Sequence, residues 1–270
     1  MHLINFFMIV GTFCLNAPQV VAQKTVDEKQ VLFTYGDFYP EDVSNYAILV
    51  IESAHFDSQD IAVLKQQNAK VLGYVSMGEV NEAAAHYPEL KEVTLGKNEI
   101  WNSHILNIEN IKTQKTLLEI FNFNMEKGLD GMFLDNIDNY TEFGPTPEKK
   151  EALLDFLEVL KVTFPNIYLM QNSGISIIKD TYPYIDAIAK ESIATDYDFK
   201  NKKYKLRDEE IFTRVLSELK QVTKDFEVPV VLIEYADTPE LKVAIKKRLE
   251  VTTWPYFIGK IELQKIPDTN

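Results

Sequence analysis

Cysteine is almost absent from this 270-residue chain, histidine is scarce, basic residues are outnumbered, and no apolar run is long enough to span a membrane. The one cysteine, Cys14, cannot form an internal disulfide, so the fold must be held by its core. The four histidines, His2, His55, His86 and His104, show no HExxH or paired spacing, and a zinc site is not expected. Ten glycines and eleven prolines are too few for a collagen-like or low-complexity chain. Lys and Arg total 28 against 41 Asp and Glu, a net charge of −13. That sign argues against nucleic acid or an anionic membrane surface as partner, because both reward a basic face. GxGxxG, Walker and GxSxG motifs are all missing, which removes motif support for nucleotide cofactors and serine-hydrolase chemistry. No cofactor is expected, and no metal. Asp135 and Asp138 could form half of an oxygen-ligand site, but Asp138 reads more simply as a turn or cap residue.

The N-terminal segment is unlike the rest. Leu3 to Leu15 is apolar and contains Phe6, Phe7, Met8, Ile9, Val10 and Phe13. It fits a secretory h-region and is shorter than the roughly 20 residues of a membrane-spanning helix. Val20-Val21-Ala22 supplies a small residue for signal-peptidase cleavage. Residues 1–22 therefore read as a signal peptide and 23–270 as one exported domain. The exported chain would keep the whole charge of −13, lose Cys14, have no stable membrane insertion and be a monomer.

From residue 31 on, short apolar runs alternate with amphipathic stretches. Strands are expected at 31–35, 47–51, 71–76, 132–135, 167–171, 185–189, 230–235 and 256–258. Most are nearly continuous in apolar residues, as strands buried on both faces should be. Helices are expected at 58–67, 112–127, 147–162, 208–224 and 239–249, with Asp57 as a cap and Pro147 in a first turn. Eight strands with helices in most gaps suit an α/β fold of the (β/α)8 TIM-barrel type; an open doubly wound sheet is the rival. Two polar stretches, 79–110 and 192–207, follow strand ends and so belong on the C-terminal face, where barrel enzymes build their sites.

Carboxylates and aromatics at strand ends are what could carry chemistry. In Gly131-Met132-Phe133-Leu134-Asp135 the period of two sets Gly131, Phe133 and Asp135 on one face. In Ala187-Ile188-Ala189-Lys190-Glu191 it does the same for Ala187, Ala189 and Glu191. An ionised carboxylate closing an apolar strand is costly to bury without a purpose. Asp135 and Glu191 are therefore the expected catalytic pair, one protonating a leaving oxygen while the other attacks or activates water. Tyr74, Glu79, Asp138, Asn172, Glu234, Tyr235 and Tyr256 are the expected substrate contacts. A non-catalytic glycan-binding barrel, or a structural domain of an envelope assembly, would need neither carboxylate.

The block Val71-Leu72-Gly73-Tyr74-Val75-Ser76-Met77-Gly78-Glu79 and the block Gly128-Leu129-Asp130-Gly131-Met132-Phe133-Leu134-Asp135-Asn136-Ile137-Asp138 occur with Gln171-Asn172 and Glu191-Ser192. Together they resemble glycoside hydrolase family 114, which contains endo-α-1,4-polygalactosaminidases, over roughly residues 31–260. The resemblance implies a TIM barrel that cleaves amino-sugar polysaccharide. It also implies that the family's catalytic Asp falls on Asp135 and its catalytic Glu on Glu191, with Tyr74, Glu79 and Asn172 forming the pocket; within that pair Asp135 is assigned as nucleophile and Glu191 as acid/base of a retaining reaction.

Overall fold

The computed structural model describes residues 31–267; the expected signal segment and Cys14 lie outside them. Eight parallel strands run in chain order around a nearly closed barrel: β1 (Val31–Thr34), β2 (Ile48–Ile51), β3 (Val71–Ser76), β4 (Gly131–Asp135), β5 (Tyr168–Asn172), β6 (Ala187–Glu191), β7 (Val230–Tyr235) and β8 (Tyr256–Gly259). The seam between β8 and β1 is bridged by the rings of Phe33 and Phe257, 5.8 Å apart, and by a hydrogen bond from Tyr35 N–H to the Leu263 carbonyl. The rival open sheet is thereby excluded.

Register fixes which side chains enter the barrel. Phe33 pairs with Val50, Val50 with Leu72, and Leu72 with Gly131. Phe33 also packs edge-on against Phe133, so this set and its period-two mates point inward. Gly131 is required here: a Cβ would lie 1.8 Å from the Tyr168 carbonyl oxygen on the neighbouring strand.

Five longer helices cover the barrel: α1 (Ser58–Gln67), α2 (Ile111–Glu126), α3 (Lys150–Thr163), α4 (Glu209–Phe226) and α5 (Pro239–Leu249). Their starts follow from capping chemistry. Asp57 and Asp60 form a reciprocal capping box on α1, while Asn110, Asp208 and Thr238 accept from the first turns of α2, α4 and α5. The helix expected from Pro147 begins with a 3-10 turn, Pro147–Lys149, before α3. Strand β6 lies two residues later than expected, because the Asp186 carboxylate before it is held by Lys161 and by Leu169 N–H.

Both polar excursions form small antiparallel sheets at the C-terminal ends of strands. The first joins Glu79–Asn81, Lys97–Asn98 and Ser103–Ile105, and the second is a ribbon of Thr195–Asp198 and Lys203–Leu206.

Candidate active site

The inward period of two delivers a ring of polar side chains to the C-terminal mouth. Asp135 ends β4, Asn172 ends β5 and Glu191 ends β6. One amide group ties them together: Asn172 Nδ2 donates to Asp135 Oδ1 at 2.8 Å and to Glu191 Oε1 at 2.7 Å. Two tyrosines supply the remaining donors. Tyr74 Oη on β3 donates to Asp135 Oδ2 at 2.8 Å, and Tyr235 Oη on β7 donates to Glu191 Oε2 at 2.6 Å. All four carboxylate oxygens therefore accept a hydrogen bond from a neighbouring strand.

The strand ends are turned sharply away from these side chains. Asn136, Ser173 and Ser192, the residues immediately after Asp135, Asn172 and Glu191, have φ of 59°, 58° and 54°. Non-glycine residues seldom adopt this left-handed conformation, and its repetition after three adjacent strands is a local strain that frees each chain end from the sheet.

Burial and charge set the protonation states. Glu191 is raised above the ordinary carboxylate range, first by burial and then by the negative charge of Asp135; the bonds from Tyr235 and Asn172 pull the other way. Tyr74 and Tyr235 are both held well above the ordinary phenol value, chiefly by burial and then by the adjacent carboxylate, so they remain donors. A part-buried acid raised above the ordinary carboxylate range beside a second carboxylate is equipped to pass a proton to a leaving group.

The family model for glycoside-hydrolase family GH114 matches residues 16–255. The chain belongs to this family. It is a glycoside hydrolase. The glycoside hydrolase domain of PelA from Pseudomonas aeruginosa superposes with a TM-score of 0.78 at 24% identity, over 88% of this chain and 96% of that one. Ega3 from Aspergillus fumigatus, solved in complex with galactosamine, gives 0.64 at 20% identity, over 87% and 90%. No curated protein matches by sequence.

Of the side chains expected at the mouth of this GH114 barrel, Tyr74, Asp135, Asn172, Glu191 and Tyr235 converge in one hydrogen-bonded cluster. Four others have different roles. Glu234 points away from the barrel interior, since its neighbour Tyr235 points in, and it is fully buried. Its carboxylate accepts from the N–H groups of Ile193, Ala194 and Thr195 and from Thr195 Oγ1 at 2.6–3.0 Å, holding the chain just after Glu191. Burial pushes Glu234 up to about 7 against these donors. Glu79 is likewise buried; Ser103 Oγ and Asn98 Nδ2 donate to it, which fastens the first excursion. Asp138 Oδ1 accepts from Gly174 N–H at 2.7 Å and links the loops after β4 and β5. Tyr256 lies on the outward face of β8, because Phe257 beside it occupies the interior next to Phe33. In the structure Glu79, Asp138 and Glu234 hold loops at the mouth together, and Tyr256 packs outward.

Two mouth residues escaped the sequence reading of this hydrolase. Tyr35 follows β1 in the inward phase of Phe33, stacks on Tyr74 with centroids 4.8 Å apart, and is raised well above the ordinary phenol value by burial and then by Asp135. Glu52 follows β2 in the inward phase of Val50 and contributes to the field that raises Tyr35 and Tyr74. The same period of two that selected Asp135 would have found both. Among the described residues, no group of three or more His, Cys, Asp or Glu side chains is arranged to hold a metal ion.

Proposed function

We propose that this hydrolase cleaves α-1,4-linked galactosamine-type polysaccharide with a retaining two-carboxylate mechanism, and that it acts outside the cytoplasm after cleavage near Ala22. The observation that carries the mechanism is the single Asn172 amide shared by Asp135 and Glu191. Bonds of 2.8 and 2.7 Å to one nitrogen limit those two oxygens to at most their sum, 5.5 Å apart. Retaining enzymes hold their carboxyls about 5–5.5 Å apart, whereas inverting ones leave about 6.5–9.5 Å for a water. The short separation favours direct attack.

In the first step Asp135 attacks the anomeric carbon while Glu191 gives its proton to the departing glycosidic oxygen. In the second, the ionised Glu191 takes a proton from water, the water oxygen bonds to the anomeric carbon, and Asp135 leaves. The Tyr235 hydroxyl can donate to the Glu191 carboxylate and accept from the carboxylic acid, so that contact serves both steps. Galactosamine as the sugar is supported by family membership and by the galactosamine bound to the structurally similar Ega3. Export is supported by the apolar run from Leu3 to Leu15 ahead of Val20-Val21-Ala22.

The test is release of new reducing ends from galactosamine polymers, followed by proton NMR of the first product. Hydrolysis giving the α-anomer first supports the proposal. A β-anomer refutes retention, and no release from any amino-sugar polymer refutes the substrate.

A further inference from the structure

The two excursions meet. Trp101, in the first, and Phe199, at the turn of the second, pack edge to face with ring centroids 5.5 Å apart. They leave β3 and β6, and between those strands in the sheet lie β4 and β5, which carry Asp135 and Asn172. The contact therefore spans that sector of the mouth. It continues as an aromatic ridge: Tyr197 lies 5.0 Å from Phe199 and 4.7 Å from Tyr204. The Tyr204 hydroxyl in turn accepts from Ile261 N–H beyond β8.

Both tips are pinned by hydrogen bonds, yet their rings stay half in solvent. Asn81 Nδ2 donates to the Trp101 carbonyl at 2.8 Å, and Asp198 accepts from Lys200 N–H, Asn201 N–H and Asn201 Nδ2 at 2.7–3.0 Å around Phe199. Trp101 and Phe199 nevertheless remain 49% and 47% exposed. Fixed, half-exposed rings at the rim of a sugar hydrolase form a preorganised stacking surface, which binds without a large ordering penalty.

We infer that Trp101 and Phe199 form a distal subsite that stacks against a sugar ring of the polysaccharide several units from the bond being cut. The ribbon bearing Phe199 carries Lys200, Lys202, Lys203 and Lys205 against Asp196 and Asp198, with Lys205 paired to Asp196, and beside Trp101 Lys97 is set against Glu82 and Glu99, so acid is not in excess around the two rings. A protonated amino sugar finds no net counter-charge there, so the unit bound there is the uncharged, N-acetylated form. This subsite rests on the proposed polysaccharide activity for its occupant, while its binding can be read without turnover.

Trp101 and Trp254 are the two tryptophans of the chain. In a Trp254→Phe, Asp135→Asn protein, Trp101 emission reports binding alone. Titration with N-acetylgalactosamine oligomers should change it saturably, and more tightly as the oligomer lengthens. In the active enzyme, Trp101→Ala and Phe199→Ala should each raise KM for long polymer roughly tenfold. That rise should shrink for two- or three-unit substrates, kcat should hold on polymer, and Trp101→Phe should restore most of the loss. No emission change at saturating oligomer, equal KM changes at all chain lengths, or tighter binding of de-acetylated oligomer or a single-stranded oligonucleotide would each overturn the subsite. If the wild type releases no reducing ends but Trp101 still reports the acetylated oligomer, the cleavage proposal fails and the subsite stands.

Discussion

Removing the Asn172 amide group isolates the coupling between the two carboxyls. Asn172→Ala deletes both charge-assisted bonds, to Asp135 Oδ1 and Glu191 Oε1, without touching either carboxyl or either tyrosine. In the doubly ionised form, two full charges about 5.5 Å apart repel by about 3 kcal/mol at an effective dielectric of about 20. Each hydrogen bond to a charged group contributes about 1.5–3 kcal/mol, so the shared amide offsets a large part of that repulsion. Its loss should lower kcat roughly 100-fold, equivalent to about 2.7 kcal/mol of barrier. The pH profile carries the more specific signature. Asn172 pulls Glu191 down, so without it Glu191 should rise further and the alkaline limb of kcat/KM should move to higher pH. Initial rates on a galactosamine polymer across pH 5–10, with a melting curve to confirm folding, provide the assay. A kcat within threefold of wild type, with an unmoved alkaline limb, would show that the amide does not couple the two carboxyls.

Further predictions concern stability and positioning. Burial and Asp135 raise Glu191 in the folded protein, so its protonation stabilises the fold fully below the ordinary value of 4.5, and this is lost as pH rises through the raised value. The Tm advantage of Glu191→Gln over wild type should therefore grow as pH rises above about 4.5; a constant gap contradicts the shift. Glu234→Ala leaves three buried N–H groups without their acceptor and should cost about 3 kcal/mol or more in denaturant unfolding, with a fall in kcat because the chain after Glu191 loosens. Gly131→Ala should destabilise by about 3 kcal/mol or more, since its Cβ meets the Tyr168 backbone; an unchanged Tm would show that β4 and β5 can separate at no cost.

Much of the barrel was legible because its strands are buried on both faces and read as continuous apolar runs. The alternation within β4 and β6 selected Asp135 and Glu191, since each ends a strand in phase with small or apolar inward residues. The orientation of Tyr256 is not readable in sequence, because two aromatics adjoin on β8 and only the pairing of Ile233 with Phe257 decides which one enters the barrel. Glu234 and Tyr235 posed the same problem, and a buried carboxylate with four donors looks identical in sequence to one facing a ligand. The contact between Trp101 and Phe199 joins residues 98 positions apart, on excursions whose meeting depends on the curvature of the barrel. Local patterning carries no record of it.

In the proposed mechanism Asp135 attacks the sugar while Glu191 manages the proton. Intact-mass analysis of Glu191→Gln with an α-galactosaminyl fluoride tests it most directly. Fluoride leaves without a proton donor, but the second step lacks its base, so the glycosyl-enzyme should accumulate. An added mass of one sugar residue is expected on the peptide containing Asp135, absent in Asp135→Asn, Glu191→Gln. Turnover of the fluoride with no adduct, or an adduct on any other residue, would contradict it.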